Sequence, residues 1–176
     1  LPKRVLIELS SRSIMEPTEM REINSILSEN FPQFEFAAKS FLAPIVLPQR
    51  TFLEKIFLLH EEFSQETERI RVSRLSRHLY DLARLMDTEY GTAAIQDKGL
   101  YRMIVSHREK FNPLRGLNYS NHSPDKIIII PPDSVIKELE RDYSEMTIFM
   151  IYGEVLKFDD LIDKIIELQR RINKSF

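Results

Sequence analysis

Hydrophobic positions recur at helical spacing over most of the chain beyond residue 50. The clearest stretch begins at Thr51, which we expect to be the N-cap of a helix. Its apolar positions are spaced by four, three and four residues: Phe52, Ile56, Leu59 and Phe63. This spacing places them on one face of an α-helix and predicts that this face is buried.

The same periodicity predicts further helices in the second part of the chain. A series of leucines, Leu75, Leu79 and Leu82, predicts a helix over residues 72–87. The other predicted helices lie at residues 92–97, 100–110, 132–150 and 158–172. Residues 111–125 are rich in Pro, Gly, Asn and Ser, so we expect a loop there.

The first part of the chain has a different pattern. Residues 4–10 are mostly β-branched or apolar and predict a strand. A helix opened by Pro17 is expected over residues 18–29, and one or two short extended segments over residues 34–47. One or two strands do not form a stable sheet alone, and the chain begins with Leu1 rather than Met, so we expect further sheet upstream. The predicted fold class is α+β.

The composition of the chain excludes several classes of protein. The 176 residues are 43% hydrophobic and 30% charged, with a formal net charge of −2. This length and apolar content are typical of one folded domain and exclude a disordered chain. The absence of cysteine excludes disulfides, thiolate zinc sites and cysteine nucleophiles. No apolar run reaches the roughly 18–20 residues that span a bilayer, and the polar residues at the start of the chain lead us to expect no signal peptide. We therefore expect a cytoplasmic protein without a membrane partner.

Lys55 lies one position before Ile56, at the edge of the predicted buried face. In one interpretation, its side chain extends past apolar neighbours so that the amine reaches water. In the other, the lysine places a compact positive charge in a cleft that binds phosphate. The residues alone leave both interpretations open.

The predicted helix over residues 72–87 also carries a charged stripe. Its members are spaced by three, one, three and three residues: Arg74, Arg77, His78, Asp81 and Arg84. One interpretation is a solvated face of weak ion pairs between helical neighbours. The other is a site for an anionic substrate, in which arginines hold phosphate oxygens and Asp81 orients Lys55, a hydroxyl group or a metal-bound water.

Glu8 lies within the first predicted strand, where acidic residues are uncommon. Alternation puts Glu8 on the face shared by Leu6 and Ser10, so an exposed carboxylate is one interpretation. The other interpretation is that Glu8 is a ligand of Mg²⁺, because Mg²⁺ binds carboxylate oxygens. The histidines and glycines match neither the common metal-binding spacings nor the phosphate-binding loops.

Three segments of the chain match motifs that occur together in one protein family. The first, Thr51–Lys55 (TFLEK), matches a TF-x-EK motif. The second, Arg77–Leu82 (RHLYDL), matches a motif ending in Asp-Leu. The third, Arg141–Met146 (RDYSEM), matches an Asp-Tyr-x-x-Met stretch. In this order and spacing, they resemble the nucleotidyltransferase AbiEii/AbiGii toxin family. The similarity extends from about Arg4 to Asn173.

This resemblance implies a polymerase-β-type nucleotidyltransferase core followed by a mainly helical C-terminal part. Residues 1–49 would be the last strands and helix of the core, a remnant of its sheet, and residues 50–176 the helical domain. It also implies a bacterial, Mg²⁺-dependent enzyme that transfers a nucleotide from a nucleoside triphosphate to an RNA, such as tRNA, or to a protein. Such enzymes are toxins with a cognate antitoxin in type IV toxin–antitoxin and phage abortive-infection systems.

The resemblance also assigns roles to individual residues. Lys55 and Asp81 are the expected catalytic residues: Lys55 contacts the triphosphate, and Asp81 positions Lys55 or the acceptor. The expected nucleotide- and phosphate-binding residues are Arg77, His78, Arg50 and Thr51, and the expected metal ligand is Glu8. The family's glycine-rich phosphate-binding turn and its pair of acidic residues have no counterpart in residues 1–49. We therefore expect residues 1–176 alone to have little or no activity.

The alternative is a non-catalytic helical module. Its arginine stripe would bind a protein partner or an RNA backbone. Because the net charge is close to zero, a nucleic-acid surface would have to be a local patch of this kind.

Overall fold

The computed structural model of the protein describes residues 7, 17–35, 37 and 39–175, and the chain forms two compact units, Leu1–Leu47 and Pro48–Phe176. Apart from Ile7, the strand predicted over residues 4–10 lies outside the described residues, and so does Glu8. Within the described residues, the first unit contains the β-strands and the second contains the long helices.

The first unit is built on a two-stranded antiparallel sheet. β1 (Thr18–Ile23) pairs with β2 (Phe41–Val46), and a short helix, α1 (Ile26–Asn30), follows β1. The helix predicted over residues 18–29 is therefore wrong for its first 6 residues, which hydrogen-bond to a neighbouring strand instead. The chain changes conformation at Ser25, whose hydroxyl accepts a backbone hydrogen bond at 3.0 Å and caps α1.

The extended segment predicted within residues 34–47 is confirmed as β2, and it contains a proline. Pro44 lies opposite Met20 in the antiparallel pairing. A proline cannot donate a hydrogen bond to the ladder, but each strand of a two-stranded sheet has an outer edge where no donor is needed. The sheet therefore accommodates a residue that a central strand would exclude.

Six α-helices form the framework of the second unit within the described part of the chain. They are α2 (Pro48–Phe63), α3 (Ser76–Leu85), α4 (Glu89–Gln96), α5 (Lys98–Phe111), α6 (Asp133–Met150) and α7 (Phe158–Asn173). The predicted helical periodicity is confirmed, and together with the sheet it gives the predicted α+β class. Among these described helices, none combines the length and the apolar character that crossing a bilayer requires.

The predicted apolar faces of α2 and α3 both lie in the core. Phe52, Ile56 and Leu59 of α2 are completely buried, and so are Leu79 and Leu82 of α3. Burial of one such side chain contributes about 1.5–3 kcal/mol. Since α3 packs against α2, α6 and α7, it is held from several sides.

Three predicted helix starts in the second unit are wrong. α4 begins at Glu89 rather than at residue 92, and the errors for α2 and α3 have a cause in the backbone. α2 begins at Pro48 rather than after a Thr51 cap, because the fixed φ of proline suits the first helical turn. α3 begins at Ser76 rather than near residue 72, because Arg74 has a φ of 63°, which a right-handed helix does not allow. Thr51 therefore lies inside α2, and Arg74 lies outside α3.

Candidate functional site

Lys55 links α2 to α3 through its ammonium group. Its Nζ lies 2.7 Å from Oδ2 of Asp81 and 3.2 Å from Nδ1 of His78. The Lys55 side chain is 19% exposed and that of Asp81 is 42% exposed, so the pair is accessible to solvent. Asp81 therefore pairs with a lysine of another helix rather than with the arginines of α3. We call Lys55, Arg77, His78 and Asp81 the Lys55 cluster.

The imidazole of His78 is neutral at pH 7. Burial, followed by the positive charges of Lys55 and Arg77, lowers its pKa from 6.5 to about 4, while the charge of Asp81 opposes this shift. Because an ammonium group only donates hydrogen bonds, the neutral Nδ1 of His78 accepts one from Lys55. Two N–H groups of Lys55 are thus used within the protein, and the third has no partner among the described residues.

Local sequence explains why these groups meet. His78 and Asp81 are three residues apart in α3, so they lie on the same side of that helix. The adjacent Leu79 and Leu82 are completely buried and fix the rotation of α3 about its axis. A partly exposed ion pair of this kind contributes only about 0–1 kcal/mol. Its main effect is therefore to hold the Lys55 ammonium in place.

The other predicted phosphate-binding residues have different surroundings. Arg77 is close enough for its charge to act on His78, and its Nε is buried without a hydrogen-bond partner among the described residues. The Arg50 side chain is 2% exposed and forms an ion pair with Glu54 at 2.9 Å. Thr51 is half-buried in the first turn of α2. Arg77 thus belongs to the Lys55 cluster and Arg50 and Thr51 do not, and phosphate contacts by all three residues stay predictions.

A second polar cluster lies in the core, and no motif predicted it. Glu61 of α2 is 4% exposed, accepts a hydrogen bond from Nε of Arg108 at 2.7 Å, and lies 3.2 Å from Nε2 of His122. The available signal in the sequence was an acidic pair, Glu61 and Glu62, placed between the core positions Leu59 and Phe63. Acidic residues in so apolar a stretch indicate buried charges that require partners.

A cavity of about 420 Å³ lies beside this second cluster. One wall is a face of α5 with Tyr101, Arg102 and Val105, and another contains Tyr119 and His122. Its lining contains none of the predicted site residues. The predicted catalytic residues, Lys55 and Asp81, therefore lie in the Lys55 cluster and not in the lining of this cavity.

The described residues do not fit a site for the Mg²⁺ that the resemblance implies. In the described part of the chain, no group of three or more His, Asp and Glu side chains could hold a metal ion. Asp81, the carboxylate of the Lys55 cluster, already faces a cation. Glu8 lies outside the described residues, so its role as a metal ligand stays a prediction.

Comparison with known proteins places this geometry in a family context. A family model described as nucleotidyl transferase AbiEii toxin, type IV toxin–antitoxin system, matches residues 1–164. Comparisons with curated proteins and with solved structures give no significant match. The matched range contains all three motif segments and every member of the Lys55 cluster. Because the match covers nearly the whole chain, this protein belongs to the AbiEii family of nucleotidyl transferase toxins.

Proposed function

We propose that this protein transfers a nucleotide from a nucleoside triphosphate to an acceptor, either an RNA such as tRNA or a protein. Membership of the AbiEii family supports nucleotidyl transfer in general, in the setting of a type IV toxin–antitoxin system. The observation that carries the proposal is the Lys55 ammonium, which Asp81 and His78 hold in place. One of its N–H groups stays available for a phosphate oxygen.

Charge explains the proposed roles. Phosphoryl and nucleotidyl transfer both develop negative charge on phosphate oxygens, which nearby cations stabilise. In this proposal Lys55 binds these oxygens and Arg77 supplies a second positive charge. Asp81 positions Lys55, and His78 orients the same ammonium without repelling it because its imidazole is neutral. Arg50 and Thr51 are proposed as further phosphate contacts.

The reaction follows from these roles. A hydroxyl oxygen of the acceptor forms a bond to the α-phosphorus of the triphosphate. The bond from that phosphorus to the oxygen that bridges it to the β-phosphorus breaks, and pyrophosphate leaves. The hydroxyl proton passes to solvent. If Mg²⁺ is bound, Glu8 is the residue proposed to hold it, and the ion would add positive charge against the phosphate oxygens.

The domain organisation and biological setting are part of the same proposal. We assign residues 1–49 to the end of a nucleotidyltransferase core and residues 50–176 to a helical domain. The separation of the chain into compact units at Leu47 and Pro48 supports a boundary in this region. We propose a cytoplasmic toxin that acts in phage abortive infection and is neutralised by a cognate antitoxin.

The experiment is a labelling assay with the complete gene product. The protein is incubated with Mg²⁺, total bacterial RNA and each of the four labelled nucleoside triphosphates in turn. We expect label on RNA or on protein with a preferred nucleotide. Lys55→Ala and Asp81→Asn should each reduce the rate by roughly 100-fold or more, because each removes a group that stabilises or positions phosphate charge.

A second lysine–aspartate pair provides matched controls. Lys164 lies 2.8 Å from Asp87 at the protein surface, so Lys164→Ala and Asp87→Asn remove the same groups elsewhere. These variants should retain the wild-type rate. Absence of transfer from the folded wild-type protein with all four nucleotides would contradict the proposal. RNA binding that weakens steeply with salt but leads to no transfer would instead indicate the helical binding module.

A further inference from the structure

We infer that Asp142 of α6 is a positioning residue for the Lys55 cluster, because its carboxylate caps the first turn of α3. This inference rests on the proposed function for its catalytic consequence. Its structural part can be tested without any transfer assay, and it assigns a role to the RDYSEM segment.

Asp142 makes three hydrogen bonds to the start of α3. Its Oδ1 accepts the backbone N–H of Arg74 at 2.6 Å. Its Oδ2 accepts the backbone N–H of Ser76 at 3.0 Å and the Ser76 hydroxyl at 2.5 Å. A carboxylate that accepts several N–H and O–H groups makes charge-assisted hydrogen bonds, which are stronger than those of neutral acceptors.

α3 needs this cap because it has none of its own. The residue at its N-cap position is Leu75, which has no side-chain acceptor and makes no capping hydrogen bond. The preceding Arg74 has a φ of 63°, a left-handed conformation that is costly for a residue with a Cβ. The carboxylate of Asp142 offsets this cost by pairing with the N–H groups that the bent backbone exposes. It also places a negative charge at the positive end of the helix dipole.

The capped turn is the one that carries His78. Ser76 is the first residue of α3 and His78 is the third, so His78 belongs to the turn that Asp142 holds. Asp81 lies in the next turn, about 4.5 Å beyond His78 along the helix axis. Loss of the cap should therefore displace His78 first and affect Asp81 less.

The neighbours of Asp142 explain why the motif contains further residues. The Tyr143 side chain is buried, and its hydroxyl donates a hydrogen bond to the carbonyl oxygen of Leu156 at 2.8 Å. Met146, one turn further along α6, is also buried in the core. Tyr143 and Met146 fix α6 to the core, and Asp142 extends from that fixed position to α3.

The first measurement is the NMR titration of the His78 imidazole. In the wild-type protein its pKa is about 4 because of burial and the nearby cations. In Asp142→Ala we expect the pKa to rise toward 6.5, because the released turn exposes the ring and moves it away from Lys55. Asp142→Asn keeps one carbonyl acceptor and should give an intermediate value.

Glu145→Gln is the matched control. Glu145 is an exposed acidic residue on α6 that lines the same cavity as Asp142, and it makes no hydrogen bond to α3. Its replacement should leave the His78 pKa unchanged. If Asp142→Ala does not fold, Ser76→Ala removes the hydroxyl contact alone and should still raise the pKa.

The second measurement is the kinetics of nucleotide transfer. Displacement of the first turn of α3 should lower kcat by roughly 10- to 100-fold, with a smaller change in KM because Lys55 itself is retained. An unchanged His78 pKa in folded Asp142→Ala would overturn the positioning role. Absence of transfer in the wild-type protein would overturn the proposed function and leave the His78 result intact, so the two failures are distinguishable.

Discussion

Lys55 and His78 determine each other's chemistry. Burial of the His78 imidazole is the main cause of its lowered pKa, and the Lys55 ammonium adds to the effect by disfavouring a second positive charge beside it. The imidazole nitrogen in turn accepts a hydrogen bond from the ammonium and restricts its position. The Lys55 ammonium is therefore already oriented before a ligand arrives, as the proposed phosphate contact requires.

The sign of the pH dependence follows from the His78 pKa. Its folded-state pKa of about 4 lies below the unfolded value of 6.5, so the folded protein favours the neutral ring. The contribution of His78 to the free energy of unfolding is complete above pH 6.5. It is lost progressively as the pH falls from 6.5 toward 4, because the unfolded chain binds a proton first.

Lys55→Met should raise the His78 pKa toward 6.5 without reaching it. The substitution removes one of the two nearby cations, but burial of the ring persists. An NMR titration of the imidazole measures this change. Lys164→Met removes a surface lysine and should leave the His78 pKa unchanged. A wild-type His78 that titrates near 6.5 would show that the ring is not buried beside Lys55.

The junction of α3 and α4 depends on one glycine. Gly91 is buried in α4, and a Cβ added there would lie 2.3 Å from the carbonyl oxygen of Leu85 and 2.9 Å from the Cα of Met86. Both atoms belong to the backbone and cannot move aside as a flexible side chain does. The short connection between the helices therefore brings α4 against the end of α3 at a distance that only glycine permits.

Gly91→Ala should destabilise the protein by about 1–3 kcal/mol, the usual cost of overpacking. In an open helix position the same change would be stabilising by about 1 kcal/mol. Gly99→Ala in α5 is the contrasting variant: its nearest neighbour is the Asp97 Oδ1 at 3.3 Å, a side-chain atom that needs to shift only slightly, so we expect a much smaller change in stability than at Gly91. Urea denaturation measures both variants. Equal stabilities would mean that α4 is further from α3 than the structure shows.

Across the whole helical unit, the second polar cluster joins distant parts of the chain. Its members are Glu61, Arg108 and His122. Burial alone would raise the Glu61 pKa, but hydrogen bonds from Arg108 and His122, together with their charges, lower it overall. Glu61 therefore contributes stability above its unfolded pKa of 4.5, and this contribution is lost as the pH falls below that value. Through Arg108 and His122, the carboxylate links α2 to α5 and to the segment that follows α5.

Arg108→Met should lower the free energy of unfolding by about 3–5 kcal/mol at pH 7, since it leaves a buried carboxylate without its main partner. The loss should become smaller as the pH falls, because a protonated Glu61 no longer needs a cation. Urea denaturation at several pH values measures this trend. Arg171→Met is the control: its partners Asp87 and Glu167 are about half exposed, so the expected loss is about 0–1 kcal/mol. Equal losses in the two variants would contradict a buried role for Arg108.

The features that depend on local periodicity could be predicted without the structure. The predicted apolar positions of α2, from Phe52 to Phe63, and Leu79 and Leu82 of α3 are buried as predicted, because a helix places residues three and four apart on one face. The TFLEK, RHLYDL and RDYSEM segments were sufficient to indicate the family that the comparison then showed. These signals lie within short stretches, so no knowledge of distant contacts was needed.

Contacts between residues that are distant in the chain became known only from the three-dimensional structure. Residues 18–23 form a strand because they pair with residues 41–46, although their local pattern predicted a helix. Lys55 meets Asp81 across 26 positions in the chain, and Asp142 caps a helix that begins 66 positions earlier. Side-chain periodicity specifies which face of an element is buried but not which element covers it. The Lys55 cluster and its cap therefore became visible only when the helices were placed together.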